Sequence, residues 1–193
     1  AGIRVDKYFD LPELALSPRG AIVAKIYDGG ITKLVVGRAF RAPNVYETSF
    51  SDANTQRAPT SPLSPELITT FEAEHSHDLT RELRISAGGY YNLIDQLVVL
   101  AEESAEVPTC GSPTEPEQCF VFSNSGGTLT AGGVEVQLRW QPSRFTLVDA
   151  SYSFVSLGGV DITGGAYPMH VASLRAMVPL KEGIRRTVEA FDK

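Results

Sequence analysis

Gly133-Val134-Glu135-Val136-Gln137-Leu138-Arg139-Trp140 decides the fold. Val134, Val136, Leu138 and Trp140 fall at every second position, with Glu135, Gln137 and Arg139 between them. Successive side chains of a strand point to opposite faces, so this spacing describes a β-strand with one apolar and one polar face. Working outward, Thr146–Phe154 repeats the pattern with Val148, Ala150, Tyr152 and Phe154 opposite Asp149, Ser151 and Ser153. Val171–Val178 continues it, and weaker alternation runs through Leu67-Thr69-Phe71-Ala73 and Leu83-Ile85-Ala87-Gly89-Tyr91. Helical periodicity is nearly absent. Ala1–Asp6 reads as a strand already under way rather than as a signal peptide.

Between the strands lie connections of two lengths. Asp28-Gly29-Gly30, His77–Thr80, Gln141-Pro142-Ser143 and Lys181-Glu182-Gly183 have the chemistry of tight turns between antiparallel neighbours. The others are long: 48–65, 102–118 and 157–166, with a shorter one near 10–16. Long and short alternate along the whole chain. The expected fold is therefore all-β, an antiparallel up-and-down meander of about nine strands with tight turns at one end and long loops at the other. One strand is expected to run unbroken from near Cys119 to Trp140, well beyond the ~9–11 residues that cross a bilayer. Gly132-Gly133 is read as a bend or bulge within it.

The 193 residues carry a net charge of −6, and their 17 Lys and Arg are scattered, which argues against a nucleic-acid surface. No window approaches the roughly 18 consecutive apolar residues of a transmembrane helix; a transmembrane barrel, whose strands alternate, needs no such run. Tyr27, Phe40, Trp140, Phe145 and Tyr167 sit beside turns or loops, where interfacial aromatics belong. Alternation by itself fits a soluble β-sandwich equally well.

Cys110 and Cys119 lie in a polar, proline-rich stretch with no CxxC and no nearby histidine. They are read as a loop-stapling disulfide rather than metal ligands, and so as a sign of an oxidising compartment. Glu72, Glu74, His75 and His77 are close in sequence, but on a strand the histidines take one face and the carboxylates the other, so no metal site is assigned. There is no G-x-S-x-G, P-loop or HExxH, and Glu102-Glu103 has no partner acid. Neither an enzyme nor a cofactor is expected.

Four motifs, in order, carry a family resemblance. Gly37-Arg38-Ala39-Phe40-Arg41-Ala42-Pro43-Asn44-Val45-Tyr46-Glu47 resembles the G-x-A-F-R-A-P-x-x-x-E signature of TonB-dependent outer-membrane receptors. Leu63-Ser64-Pro65-Glu66, with Thr70 and Glu72 following, is similar to the family's L-x-P-E strand opening. Asn124 and Gly126, then Gly133 and Glu135, resemble its N-x-G…G-x-E pair, and Pro168-Met169-His170 its P-x-H. The resemblance spans about 17–180.

It implies that 1–193 is a partial barrel domain from the later half of a large barrel, which in such transporters has about 22 strands. It also implies an N-terminal plug, missing here with the remaining strands, and energy from the TonB complex through that missing N-terminus. The location implied is the outer membrane of a Gram-negative bacterium, in contact with its lipid. The cargo is a small, scarce nutrient: ferric siderophore, haem, cobalamin or similar. Arg38, Phe40, Arg41, Ala42, Pro43, Glu47, Pro65, Glu66, Asn124, Gly126, Gly133 and Glu135 are structural motif residues on this reading. Arg41-Ala42-Pro43 ends a strand. Glu135, Arg139 and Arg175, with Thr70, Glu72 and Glu74, line a wet lumen wall rather than touching ligand. Ligand contacts are expected from loops 48–65 and 102–118, the second shaped by Cys110–Cys119. The alternatives are a different outer-membrane channel barrel or a soluble cell-surface β-sandwich. Ile184–Phe191 is read as a further strand of poor alternation, and an isolated piece with two open edges is expected to need neighbours.

Overall fold

The computed structural model describes residues 1–7, 14–52, 55–102, 110–112, 115–117, 119–159, 167–181 and 184–192. In chain order the elements are β1 (Gly2–Lys7), β2 (Leu14–Tyr27), β3 (Gly30–Arg41), α1 (Val45–Ser49), β4 (Gln56–Arg57), β5 (Glu66–Asp78), β6 (Leu83–Asp95), β7 (Val98–Glu102), β8 (Cys110–Ser112), β9 (Glu115–Glu117), β10 (Phe120–Asn124), β11 (Leu129–Ser143), β12 (Thr146–Gly158), β13 (His170–Lys181) and β14 (Ile184–Asp192). Nine of them form one antiparallel sheet in the order β1-β2-β3-β5-β6-β11-β12-β13-β14. It is an open meander in which each strand pairs with the next strand of the sheet, and tight turns alternate with long connections as the turn chemistry predicts. β14, the strand of poor alternation, completes the edge beside β13.

The register places all the alternating faces in phase. Ile22, Leu34, Ala73, Gly89, Val134 and Phe154 stand in one row across six strands. The next residue on each strand faces the other way, and there Lys33, Glu74, Gly88, Glu135 and Ser153 form the corresponding row. Nearer the tight turns, Asp78, Arg84, Arg139, Asp149 and Arg175 share a polar row, in which Arg84 Nε donates to Asp78 at 2.5 Å and Arg139 meets Asp149 at 3.9 Å. Val23, Ile31 and Val35 interrupt the polar face on β2 and β3.

This sheet has almost no core. Among the described residues the buried apolar side chains are Val35, Leu63, Cys110, Cys119 and Leu129, and only Val35 and Leu129 belong to the sheet. Ile22 is 67% exposed, Val136 45% and Leu174 49%, all on the apolar face. The accessible surface is 13364 Å², against roughly 9,000 Å² for a compact monomer of this size. A soluble sandwich would cover that face with a second sheet at about 10 Å; the described residues provide none.

Two expectations are corrected. The stretch from Cys119 to Trp140 is two strands, not one: β10 leaves the large sheet altogether and pairs with β4 and β7 in a separate three-stranded sheet. The break falls at Ser125-Gly126-Gly127, where Ser125 N–H is turned aside to Leu97 O at 2.7 Å and two glycines weaken the commitment to strand. Nor do Gly132 and Gly133 form a bulge, since the ladder with β6 and β12 runs through both without a shift. Their role is space. A Cβ on Gly133 would lie 2.6 Å from the Tyr90 ring and 2.7 Å from Phe154 O, and one on Gly132 would lie 3.2 Å from the Tyr91 ring. Each glycine receives the aromatic ring of its cross-strand partner, one on each face of the sheet, a pairing that supports glycine within strands.

Candidate functional site

The long connections at one end of the sheet carry the most organised polar chemistry of the chain. They run through 42–65 and 96–128, longer than expected because β3 ends at Arg41 and β6 at Asp95. Arg41 is the last residue of β3 and pairs in register with Glu66, the first of β5, on the polar face. Its guanidinium grips that carboxylate with two parallel bonds, Nε to Oε2 at 2.6 Å and Nη2 to Oε1 at 2.7 Å. This fork-on-fork geometry fixes both distance and plane. The remaining Nη1 donates to both oxygens of Glu47, at 2.9 and 3.1 Å.

Glu47 is brought there by α1. Ala42-Pro43 carries the chain off β3, and Asn44 caps the helix. Its Oδ1 accepts from Glu47 N at 2.9 Å while its own N–H donates back to Glu47 Oε2 at 2.8 Å, a reciprocal capping box. Glu47 and Glu66 end 9% and 5% exposed, and burial of carboxylates at that level is sustainable only because each is hydrogen-bonded to a cation.

Arg41, Glu47 and Glu66 form one half of a clip at the base of the long connections, and the other half comes from β10. Asn124 Oδ1 accepts from Ser64 N at 2.8 Å, and Nδ2 donates to Ser64 O at 2.9 Å and to Gln96 O at 2.7 Å. Its amide thus pairs with Ser64 as a neighbouring strand would. Pro65 separates Ser64 from Glu66, whose Oε1 also accepts from Val98 N at 2.9 Å. Gln96 turns the chain back with φ of 58°, a left-handed conformation uncommon for a residue other than glycine. Above the clip Tyr46 stacks on Phe50 at 4.5 Å and meets Phe122 edge-on at 5.8 Å, and Phe120 N donates to Thr55 O at 2.8 Å. Cys110 and Cys119 are joined in a disulfide, and both are 3% exposed, deeper than an open loop would hold them.

The motif residues therefore separate into groups. Arg41, Glu47, Glu66 and Asn124 converge, with Ala42, Pro43 and Pro65 shaping the chain between them. Arg38 and Phe40 lie on the apolar face, near its loop end. Gly133 and Glu135 lie mid-sheet, Glu135 exposed on the polar face beside Gly88. Nothing in the structure explains glycine at 126, where a Cβ would meet open space. Thr70, Glu72, Glu74, Tyr90, Glu135 and Gln137 line a depression in the polar face. His75 and His77 are on the opposite face, where His75 Nε2 and Nδ1 lie 2.8 Å from the hydroxyls of Tyr27 and Thr32. Of the loops assigned to ligand contact, 53–54, 103–109, 113–114 and 118 lie outside the described residues. Ser64, Gln96 and Val98 were not singled out by the sequence; their contacts to Asn124 and Glu66 are long-range and leave no local signal. For α1 a signal exists, the Asn44-x-x-Glu47 box.

A family model described as TonB dependent receptor-like, beta-barrel, matches residues 1–179. The chain belongs to that family. Its sheet is a part of a receptor barrel, not closed by these strands alone. Solved structures agree in fold. The siderophore receptor PirA from Acinetobacter baumannii superposes with a TM-score of 0.73 at 13% identity, over 96% of this chain and 29% of that one. A double mutant of the Serratia marcescens hemophore receptor HasR, in complex with its hemophore HasA and heme, gives 0.67 at 17% identity, over 93% and 34%. The copper transporter OprC gives 0.61 at 14% identity, over 86% and 24%. The chain thus spans about a quarter to a third of each of these receptor chains. No curated protein matches the sequence.

Proposed function

We propose that this chain is part of the wall of an outer-membrane receptor that binds a scarce nutrient and imports it with TonB-supplied energy. The observation that carries this reading is the division of the sheet. One face exposes Ile22, Leu34, Val36, Val134, Val136 and Leu174, and the other carries Lys33, Glu74, Glu135 and the Arg139–Asp149 pair. Apolar side chains that are half exposed on a coreless sheet are stable facing hydrocarbon, and charges are stable facing a wet lumen. Tyr27, Trp140 and Phe145 at the tight-turn end fit the headgroup boundary.

On this reading all of 1–193 belongs to the barrel domain, in the outer membrane of a Gram-negative bacterium. The polar face, with Glu72, Glu74, Glu135 and Tyr90, looks toward a plug domain. The edges β1 and β14 pair with the remaining strands. The connections 42–65 and 96–128 stand at the ligand side, and the cargo is a ferric siderophore, haem, cobalamin or a comparable small nutrient.

The test is made on the full-length parent protein in a Gram-negative host. The expected result is outer-membrane fractionation, a folded form that migrates anomalously until boiled, and uptake of one of these labelled nutrients that disappears in a strain lacking TonB. Uptake that persists without TonB would leave a passive channel, and a soluble parent would sink the barrel reading.

A further inference from the structure

The two long connections are far apart in sequence, yet four independent links join them. Asn124, from 96–128, pairs with both backbone groups of Ser64 in 42–65, at 2.8 and 2.9 Å. Glu66, at the end of the first connection, takes the fork of Arg41 on one side and Val98 N of the second connection at 2.9 Å on the other. β10 of the second runs parallel to β4 of the first. Tyr46 of the first packs edge-on against Phe122 of the second.

We propose that the described parts of the two long connections, 42–52 and 55–65 with 96–102 and 119–128, form one mechanical body, and that Asn124 and Glu66 are the positioning residues that couple them. Asn124 is suited to this because one amide group satisfies three backbone partners in two segments, Ser64 N–H and C=O and Gln96 C=O. Without it, Ser64 loses its partner at the same moment as the left-handed turn at Gln96 loses its brace. Glu66 is suited because it is 5% exposed and shares its Oε1 between Arg41 and Val98 N, so a shift of β7 is felt by the guanidinium and, through Nη1, by Glu47 and α1. From Val98 through Glu66 and Arg41 to Glu47 every link is a specific hydrogen bond, a packed network of the kind that carries energetic coupling between two segments. A ligand that touches either connection is then registered by both. These contacts exist whatever the cargo, so the coupling can be tested whether or not the import reading holds.

The experiment is amide hydrogen exchange on the full-length receptor in detergent micelles with the Cys110–Cys119 disulfide intact. N124A is expected to speed exchange roughly 5–30-fold in 45–50 and 55–63 of the first connection as well as in 97–101 of the second, with the strands of the large sheet unchanged. Coupling is reciprocal. Ser64→Pro, which deletes the N–H that Asn124 Oδ1 receives, is therefore expected to speed exchange at 97–101 and 120–124, in the connection it does not belong to. A residue holding only its own loop would not move that second readout. Should N124A not fold, Asn124→Asp keeps the shape and the acceptor for Ser64 N–H while losing both donated bonds, and the same pattern is expected. Acceleration confined to the connection that carries the substitution, or none in either, overturns the coupling.

Discussion

In the large sheet Val134, Val136 and Trp140 sit in full register with their neighbours and still stay close to half exposed, while at the base of the long connections the charged Glu47 and Glu66 are among the most buried of the described side chains. Burial by residue type is the reverse of the usual pattern. The difference lies in what supplies the missing surroundings. The sheet is one layer thick, and on the proposed reading its apolar face is left to lipid. The connections must hold their shape by themselves, so they rely on directional bonds: a bidentate arginine, a capping box, an asparagine acting as a strand and a disulfide. On that reading the wall relies on non-directional contact with lipid, and what stands on it relies on specific geometry.

The largest expected effect comes from the wall. Val136→Arg, in the middle of the apolar face, should cost roughly 2–4 kcal/mol in a bilayer, whereas Gln137→Arg, its neighbour on the polar face, should be close to neutral. Urea unfolding of the full-length protein in lipid vesicles reads both. Equal costs would mean that the two faces are not in different media. For the connections, replacing both cysteines by serine should lower stability by roughly 2–3 kcal/mol in the chain-entropy model. Proteolysis within 96–128 should then quicken while the folded barrel band on a gel persists; loss of the barrel itself would show that wall and connections are not separable.

A smaller effect tests the glycine pockets. Gly133→Ala pushes a methyl into the Tyr90 ring and should cost about 1–3 kcal/mol as an overpacked site, and the double change with Tyr90→Ala should recover part of it. Failure to recover any would place the strain at Phe154 O instead. Smallest of all, Gln96→Gly should stabilise the connection by up to about 1 kcal/mol by relieving the left-handed backbone, seen as slower proteolysis of 96–128. A loss of stability would show that the Gln96 side chain contributes more than its φ costs.

The wall was legible in the sequence because its two signals are local. A period of two along Gly133–Trp140 and an Asp28-Gly29-Gly30 turn need no distant partner to be recognised. The clip was legible only as a collection of motif letters. Arg41 and Glu66 are 25 positions apart and Ser64 and Asn124 are 60, and nothing in one sequence states that such residues touch. The break after Asn124 leaves no local trace for the same reason. Phe120–Ser123 reads locally as strand, and it is the pairing with β4 and β7, the Asn124 side-chain bonds and the turn at Ser125 that take β10 out of the large sheet. The five residues of α1 are too few to show a helical period, and its only local signal is the Asn44–Glu47 capping box.

The passage from β6 to β11 has a consequence for how the chain assembles. Every other pairing between described neighbours of the sheet closes over a shorter connection; this one closes over 96–128. Loop closure entropy rises slowly with length, so this joint costs about 2–3 kcal/mol more than a two-residue hairpin, and less once the clip and the disulfide have shortened the free segment. Within the sheet the two halves, β1 to β6 and β11 to β14, meet only along the β6–β11 ladder. A Cys110–Cys119 bond formed before β6 and β11 meet leaves a shorter free segment to close, so the ease of that joint depends on the redox state of the two cysteines.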